Sequence, residues 1–281
     1  MNKKTYGYML LTALIPLSSL VYAESADPSS PAATVTESTD PALATPNRLQ
    51  LSYSLERYSR TFDDNPISTL QYGRLSKWGS FYLRANSVKR YETDDVQYEA
   101  DIYPKLWDGG YAYVNVGTAE GTLFPRRRYG AELFASLGGG FEGSLGVRHL
   151  VFLNSTATIY TGSLSKYFSD YLFTIRPYVT PSDTGTSVSA SVGLTRYFES
   201  ADEYWRIRAS TGKSAEERVF QNAQPEATTL KSRSISLSGQ WSPLKATFIS
   251  LSYDRARQEL LFASGEYVSV DSFSAAISYR F

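Results

Sequence analysis

The sequence of 281 residues contains no cysteine and a single histidine. The missing cysteines exclude disulfides, thiolate metal sites and a cysteine nucleophile, and one imidazole excludes a multi-histidine metal centre. An excess of one charge is also lacking, because 28 Lys and Arg balance 28 Asp and Glu. We therefore expect no nucleic-acid partner, since phosphate backbones bind basic surfaces. We also expect no metal and no cofactor, because the chain has no P-loop, calcium loop or dinucleotide fingerprint.

Long apolar runs are scarce too, and the one that comes nearest to a membrane span lies at residues 9–20. It follows two lysines and ends before Val21-Tyr22-Ala23, a pattern typical of a secretory signal peptide. We predict cleavage after Ala23, so that residues 1–23 are the signal peptide. The alternative is an uncleaved anchor, but the stretch is shorter than the roughly 20 residues of a span and contains Pro16.

Residues 24–46 differ in composition from everything that follows. They are rich in Ser, Pro, Ala and Thr, and they contain four acidic residues and no Lys or Arg. Such a segment buries too little apolar surface to fold. We predict a flexible acidic tail in the periplasm over 24–46, followed by one folded domain over 47–281.

In the folded domain apolar residues recur at every second position. Tyr129, Leu133 and Leu137 share one phase, for example, whereas Glu132 and Ser136 lie in the other. This period is typical of β-strands, but a soluble β-sandwich has it as well. The strands look about ten residues long or longer, which suits a tilted membrane-spanning strand. Aromatic residues cluster at the strand ends, as in interfacial girdles: Tyr58, Tyr91, Phe168, Tyr171, Tyr197, Phe198, Tyr204, Trp205, Tyr279 and Phe281.

The end of the chain supports the same interpretation. Phe281 is the last residue, and Tyr279 and Ile277 share its phase. This ending resembles the C-terminal signal that the bacterial barrel assembly machinery recognises, so we expect that machinery to be a partner through Phe281. The fold class is therefore all-β, a transmembrane antiparallel up-and-down β-barrel in the outer membrane of a Gram-negative bacterium. Thirteen breaks in the alternation predict about fourteen strands, and merging two weak breaks gives twelve as the alternative.

If the apolar phase faces lipid, the other phase lines the interior and carries both charges. The predicted lumen-lining residues are Arg84, Glu99, Asp101, Glu132, Glu142, Arg148, Arg176, Arg206 and Arg208. One interpretation is a plugged barrel that salt bridges fill and stiffen, because a bare charge inside a barrel is costly. The other is a narrow pore or export conduit for a polar solute such as cell-surface polysaccharide, with Tyr82, Tyr113 and Tyr178 near the path.

Several cations lie outside this interior set. Lys231, Arg233 and Arg255 share the lipid-facing phase near the predicted outer rim, where they would meet outer-membrane lipid and the phosphates of lipopolysaccharide. The alternative is snorkelling, in which the charged ends reach the interface without a specific ligand. The run 126–128 of three arginines, at the end of an external break, suits either interpretation.

Catalysis would have to use His149, since acid–base chemistry near neutral pH needs an imidazole or a tuned carboxylate. His149 shares the phase of Val147 and Val151, and Ser155 or Thr156 on the next strand would be the nearest nucleophile. A lipid-acting enzyme of the outer membrane is therefore an alternative. No G-x-S-x-G elbow is present, and the arginines near the interior carboxylates would keep them ionised and so unsuited to an acid role. We predict that the protein is not an enzyme and has no catalytic residues.

A family resemblance follows from the motifs YEADIYP at 98–104, YTGSL at 160–164, RPY at 176–178 and RYF at 196–198. Over roughly residues 48–281 the chain resembles the YaiO family of outer-membrane β-barrels. In that family the domain is sometimes fused to periplasmic repeat modules or encoded beside glycosyltransferases, which implies a link to cell-surface polysaccharide. The segment 24–46 is too short for one 34-residue helical repeat. A polysaccharide synthesis complex would then be a separate partner.

Overall fold

The computed structural model describes residues 45–59, 62–90, 92–182, 185–216, 228–260 and 263–281. The predicted signal peptide and nearly all of the predicted tail lie outside these ranges, so both stay predictions. In the described residues, no helix is long and apolar enough to cross a membrane.

The described chain folds into fourteen β-strands of 10 to 18 residues. Their bounds are β1 Asn47–Tyr58, β2 Asn65–Ser76, β3 Gly79–Arg90, β4 Thr93–Trp107, β5 Gly110–Ala119, β6 Arg127–Gly138, β7 Phe141–Val151, β8 Thr156–Phe168, β9 Tyr171–Ser182, β10 Gly185–Tyr197, β11 Tyr204–Glu216, β12 Thr228–Leu244, β13 Thr247–Leu260 and β14 Ala263–Arg280.

Each strand pairs antiparallel with its neighbours in sequence, and β1 pairs with β14 to close the barrel. In this closing pair Leu51 lies opposite Ile277 and Leu49 lies opposite Tyr279. Closure leaves no strand edge unpaired, which a sheet in a membrane requires. The predicted all-β, up-and-down barrel is confirmed, with fourteen strands rather than the alternative twelve.

The two ends of the barrel differ in the length of their connections. Both chain termini lie at one end, here called the terminal end, where five of the six connections have two residues. The two longest separations between strands, seven residues at 120–126 and eleven positions between Glu216 and Thr228, belong to strand ends at the opposite, distal end. Tight turns need special backbone geometry: Gly79 has a φ of +134°, and a Cβ there would lie 1.9 Å from the Tyr103 carbonyl oxygen. Only glycine fits this approach.

Side chains alternate between the two faces of every strand. On β1, Leu51 on the outside is 58% exposed whereas Gln50 on the inside is 2% exposed. Outward aromatic rings form a girdle near the terminal end, where Trp205 stacks with Trp241 at 6.5 Å between ring centroids. Three of the predicted girdle residues lie in the inward phase instead: Tyr204 is buried, Tyr197 packs edge-on against it, and Tyr58 packs against an interior cluster. The predicted Tyr91 lies outside the described residues.

Candidate functional site

The candidate site is the interior of the barrel, which is polar over most of its length. On β4, for example, Gln97, Glu99 and Asp101 are buried, whereas Val96 and Tyr98 in the other phase are exposed. A soluble barrel would place the apolar set inside. The inverted arrangement is the one that a barrel in lipid requires, because its outside must match hydrocarbon.

The first interior feature is a group of ion pairs on β3, β4 and β6, here called the ion-pair cluster and consisting of Arg84, Glu99, Asp101 and Arg128. Arg84 donates to Glu99 at 3.3 Å and makes a closer contact with Asp101. Arg128 Nη1 lies 3.5 Å from Glu99 Oε1. All four side chains are buried. Two positive and two negative groups therefore balance one another where water has little access.

Amides complete the hydrogen bonding of the two carboxylates. Asn115 on β5 donates to Asp101 at 2.6 Å and to Glu99 at 3.3 Å, and Asn86 on β3 donates to Glu99 at 2.8 Å. Tyr113 adds a hydroxyl donor to Asp101 at 3.2 Å. Buried charge is tolerated when its remaining lone pairs are satisfied in this way. Asn86 lies on the same strand as Arg84, whereas Tyr113 and Asn115 lie on β5, between the strand of the two carboxylates and the strand of Arg128.

A second interior feature joins strands that are not neighbours. Arg176 on β9 donates to Glu132 on β6 at 2.7 Å, across the faces of β7 and β8, and is 1% exposed. Thr161 on β8 accepts from Arg176 at 3.4 Å, and Ser144 on β7 donates to Glu132. We call this contact the Arg176–Glu132 bridge. The bridge holds the Arg176 side chain against the interior faces of β7 and β8.

The remaining predicted lumen residues also lie in the inward phase. Glu142 is buried and accepts from the Tyr111 hydroxyl at 3.4 Å, and Arg148 is buried on β7. Arg206 donates to Thr195 at 2.9 Å, whereas Arg208 is half-buried. The structure therefore places all nine predicted side chains inside the barrel. That they line a path for a solute stays a prediction.

The opposite side of the interior, from β10 through β14 to β1, has mainly short polar side chains, and we call it the hydroxyl wall. Its buried serines are Ser187, Ser191, Ser232, Ser238, Ser250, Ser252, Ser272, Ser274, Ser278, Ser52 and Ser54. Each hydroxyl is both a donor and an acceptor and carries no charge. Short hydroxyl side chains thus predominate on this side of the interior, although Arg48, Glu56, Arg206 and Asp254 are buried there as well.

At the terminal end a turn folds inward and binds the strands of the closing seam. Asp202, between β10 and β11, accepts from Arg280 on β14 at 2.8 and 2.9 Å and from Arg48 on β1 at 3.4 Å. Gln240 on β12 donates to the Asp202 carbonyl at 2.7 Å. Asp202 therefore ties together strands that meet only when the barrel is closed.

At the distal end the inward phase becomes apolar, and we call these side chains the distal collar. It consists of three clusters: Ile67, Val88, Ala119 and Phe124; Leu150, Phe152, Ala157 and Ile159; and Ala256, Val268 and Val270. Asp95 fastens one loop to it by accepting the backbone N–H groups of Gly121, Leu123 and Phe124 at 2.9 to 3.0 Å. The assumption that apolar residues always face lipid is therefore wrong at this end.

The predicted candidates on the outside are placed as follows. Lys231, Arg233 and Arg255 are exposed in the outward phase at the distal end. His149 Nδ1 lies 2.9 Å from the Thr158 hydroxyl, which the strand register puts opposite it, rather than hydrogen-bonding to the predicted Ser155 or Thr156. In the described ranges no group of His, Cys, Asp and Glu is arranged to hold a metal ion.

Similarity to known proteins agrees with this architecture. Solved structures include the outer membrane protein Omp33 of Acinetobacter baumannii, at 12% identity and a TM-score of 0.52, covering 84% of this chain and 98% of that one. Another is a bacterial polysaccharide outer membrane secretin, at 6% identity and a TM-score of 0.54, covering 84% and 99%. At these identities the similarity is one of fold. No curated protein matches.

The family model for the YaiO membrane beta barrel domain matches residues 46–217, which include the ion-pair cluster and the Arg176–Glu132 bridge. The matched segment covers more than half of the chain. The resemblance seen in the motifs is confirmed. The chain is an outer-membrane β-barrel and belongs to the YaiO family.

Proposed function

We propose that the barrel is a narrow conduit for an uncharged polar solute, such as the sugar chain of a cell-surface polysaccharide. The polar interior is the observation that carries this proposal. A barrel that needed only to be filled would be as stable with apolar side chains, because replacing buried ion pairs by hydrophobic groups is often neutral or stabilising. A polar interior therefore points to a polar cargo.

The balance of charge in the interior favours a neutral solute. Arg84 and Arg128 are paired with Glu99 and Asp101, so neither sign is in excess in the ion-pair cluster. The hydroxyl wall offers donors and acceptors without charge, and the buried Tyr103 and Tyr113 offer aromatic faces. A hydroxyl-rich chain makes hydrogen bonds to both the ion-pair cluster and the hydroxyl wall without leaving an ion in a site of low dielectric constant.

In the described conformation this conduit is closed by side chains. Of the nine predicted lumen residues, all but Arg208 are buried. Opening then requires rotation of side chains such as Arg176 and movement of the loop that Asp95 holds at the distal collar. We place the constriction at the Arg176–Glu132 bridge, because it spans the inside of four strands.

A second candidate, a plugged barrel with a structural role at the cell surface, is favoured by the same burial and by the apolar distal collar. It predicts that no solute passes through any variant. The absence of enzymatic activity also stays a proposal, and the cell-surface partner and the periplasmic location of the tail stay predictions.

The test of the conduit is solute entry into liposomes that contain the purified protein. A neutral hexose should enter faster than a hexuronate of the same size, by about tenfold if the charge costs ~1.4 kcal/mol more at the constriction. An Arg74→Gln variant, altered on the outward face, should behave as the wild type. Equal rates for the two sugars, or rates no higher than in protein-free liposomes, would contradict the proposal.

A further inference from the structure

The outward face of the barrel carries a group of five cations at the distal end of β11, β12 and β13. We call it the cationic patch and define it as Lys213, Lys231, Arg233, Arg255 and Arg257, all of which are exposed. The strand register brings them together: Lys213 lies opposite Lys231, and Arg233 lies opposite Arg257. Two like-charged pairs therefore face each other directly across neighbouring strands.

Such an arrangement is unfavourable without a counter-charge, since like charges directly opposite destabilise a sheet. Asp271 lies 3.8 Å from Arg255, and Glu259 accepts the backbone N–H of Lys231 at 3.4 Å, so two carboxylates offset part of the charge of the five cations. In the described part of the chain no carboxylate lies within salt-bridge distance of Lys213, Arg233 or Arg257. The patch therefore has excess positive charge, and Arg257 in addition lies over the ring of Tyr267 at 5.0 Å.

The position of the cationic patch along the strands shows which part of the membrane it contacts. On β12 the outward residues on its terminal side are Ile235 and Leu237, and on β13 they are Leu251 and Tyr253, all of which face lipid. The cations thus begin where the apolar band ends. The long connections lie at this distal end, which identifies it as the outer side of an outer-membrane barrel. The patch accordingly lies at the headgroup level of the outer leaflet.

We propose that the cationic patch binds the phosphate groups of lipopolysaccharide. Arginine forms paired charge-assisted hydrogen bonds with phosphate, and a phosphate between Arg233 and Arg257 would neutralise the charge that their cross-strand pairing brings together. Snorkelling explains a single cation at an interface, but it does not explain two like-charged pairs in register. The predicted lipopolysaccharide contacts Lys231, Arg233 and Arg255 are part of this larger site, to which the structure adds Lys213 and Arg257.

The test compares two lipids and three proteins in a neutral detergent. Diphosphorylated lipid A and the same lipid after removal of its phosphates are titrated into the wild type, Arg233→Gln/Arg257→Gln and Arg74→Gln, and bound lipid is counted by native mass spectrometry. Arg74 is an exposed outward cation at the terminal end and serves as the matched control. Retention of the folded band on an unheated gel verifies each variant.

The wild type and Arg74→Gln should bind the phosphorylated lipid at least about tenfold more tightly, and the double variant should lose most of this preference, since each cation near an anionic surface contributes appreciably. Equal binding of the two lipids by the wild type would overturn the proposal, as would an unchanged preference in the double variant. Competition by inorganic phosphate at the concentration of the lipid would also overturn it, because the site would then bind a free anion.

Discussion

Replacement of Arg84 by methionine should lower the free energy of unfolding by about 3–5 kcal/mol. Methionine has a similar length and no charge, so the change removes the cation that separates Glu99 from Asp101 and leaves two buried carboxylates near each other. One-sided removal of a buried ion pair is costly because the remaining charge has lost its compensation. Urea unfolding of the protein in lipid vesicles measures the loss.

The control is an arginine in a surface ion pair. Arg57 lies 3.5 Å from Asp64, but its side chain is 65% exposed, so Arg57→Met should cost less than about 1 kcal/mol. Adding Asp101→Asn to Arg84→Met should restore part of the stability, because Glu99 keeps its pair with Arg128 and no uncompensated anion then remains. A loss from Arg84→Met as small as that from Arg57→Met would mean that the ion-pair cluster is well hydrated.

Neutralising either partner of the Arg176–Glu132 bridge should give the conduit opposite ion selectivities. In Glu132→Gln the arginine stays without its partner carboxylate and should favour anions. In Arg176→Gln the carboxylate stays and should favour cations. If the free energies of the cation and the anion at the constriction differ by ~1 kcal/mol, one ion is preferred about fivefold. An unpaired charge in a site of low dielectric constant is sufficient for a difference of this size.

Reversal potentials across a planar bilayer in a KCl gradient measure this preference. The two variants should deviate from the wild type with opposite signs, and Arg74→Gln should not deviate. Shifts of the same sign in both bridge variants would show that neither charge is at the constriction.

Most of the fold could be predicted from local pattern, because a membrane barrel repeats one rule along every strand. The period of two places Glu99 and Asp101 inside and Tyr98 outside without knowledge of the partner strands. The same rule placed Arg84 and Arg176 in the interior. It did not predict which residues pair, since the bridge from Arg176 to Glu132 depends on how two non-neighbouring strands face each other.

The alternation of inward and outward residues did not predict every part of the interior, because the packing of turns and of the distal collar also determines where side chains lie. For Arg128, in the run of three arginines, the interpretation as a lipopolysaccharide contact or a snorkelling cation is wrong, because β6 begins at Arg127 and turns Arg128 inward to Glu99. Val268 and Val270 are apolar and yet face the interior, because the distal collar packs inside the barrel. Asp202 lies in a turn, and no local pattern indicates that a turn folds back onto the closing seam.

The most direct test of the conduit is the single-channel conductance of the wild type beside Arg176→Ala, at equal folded yield. Alanine removes the side chain that spans the constriction, so the variant should give discrete steps that are larger or far more frequent than those of the wild type. Silence from both well-folded proteins would contradict the conduit and favour a plugged barrel.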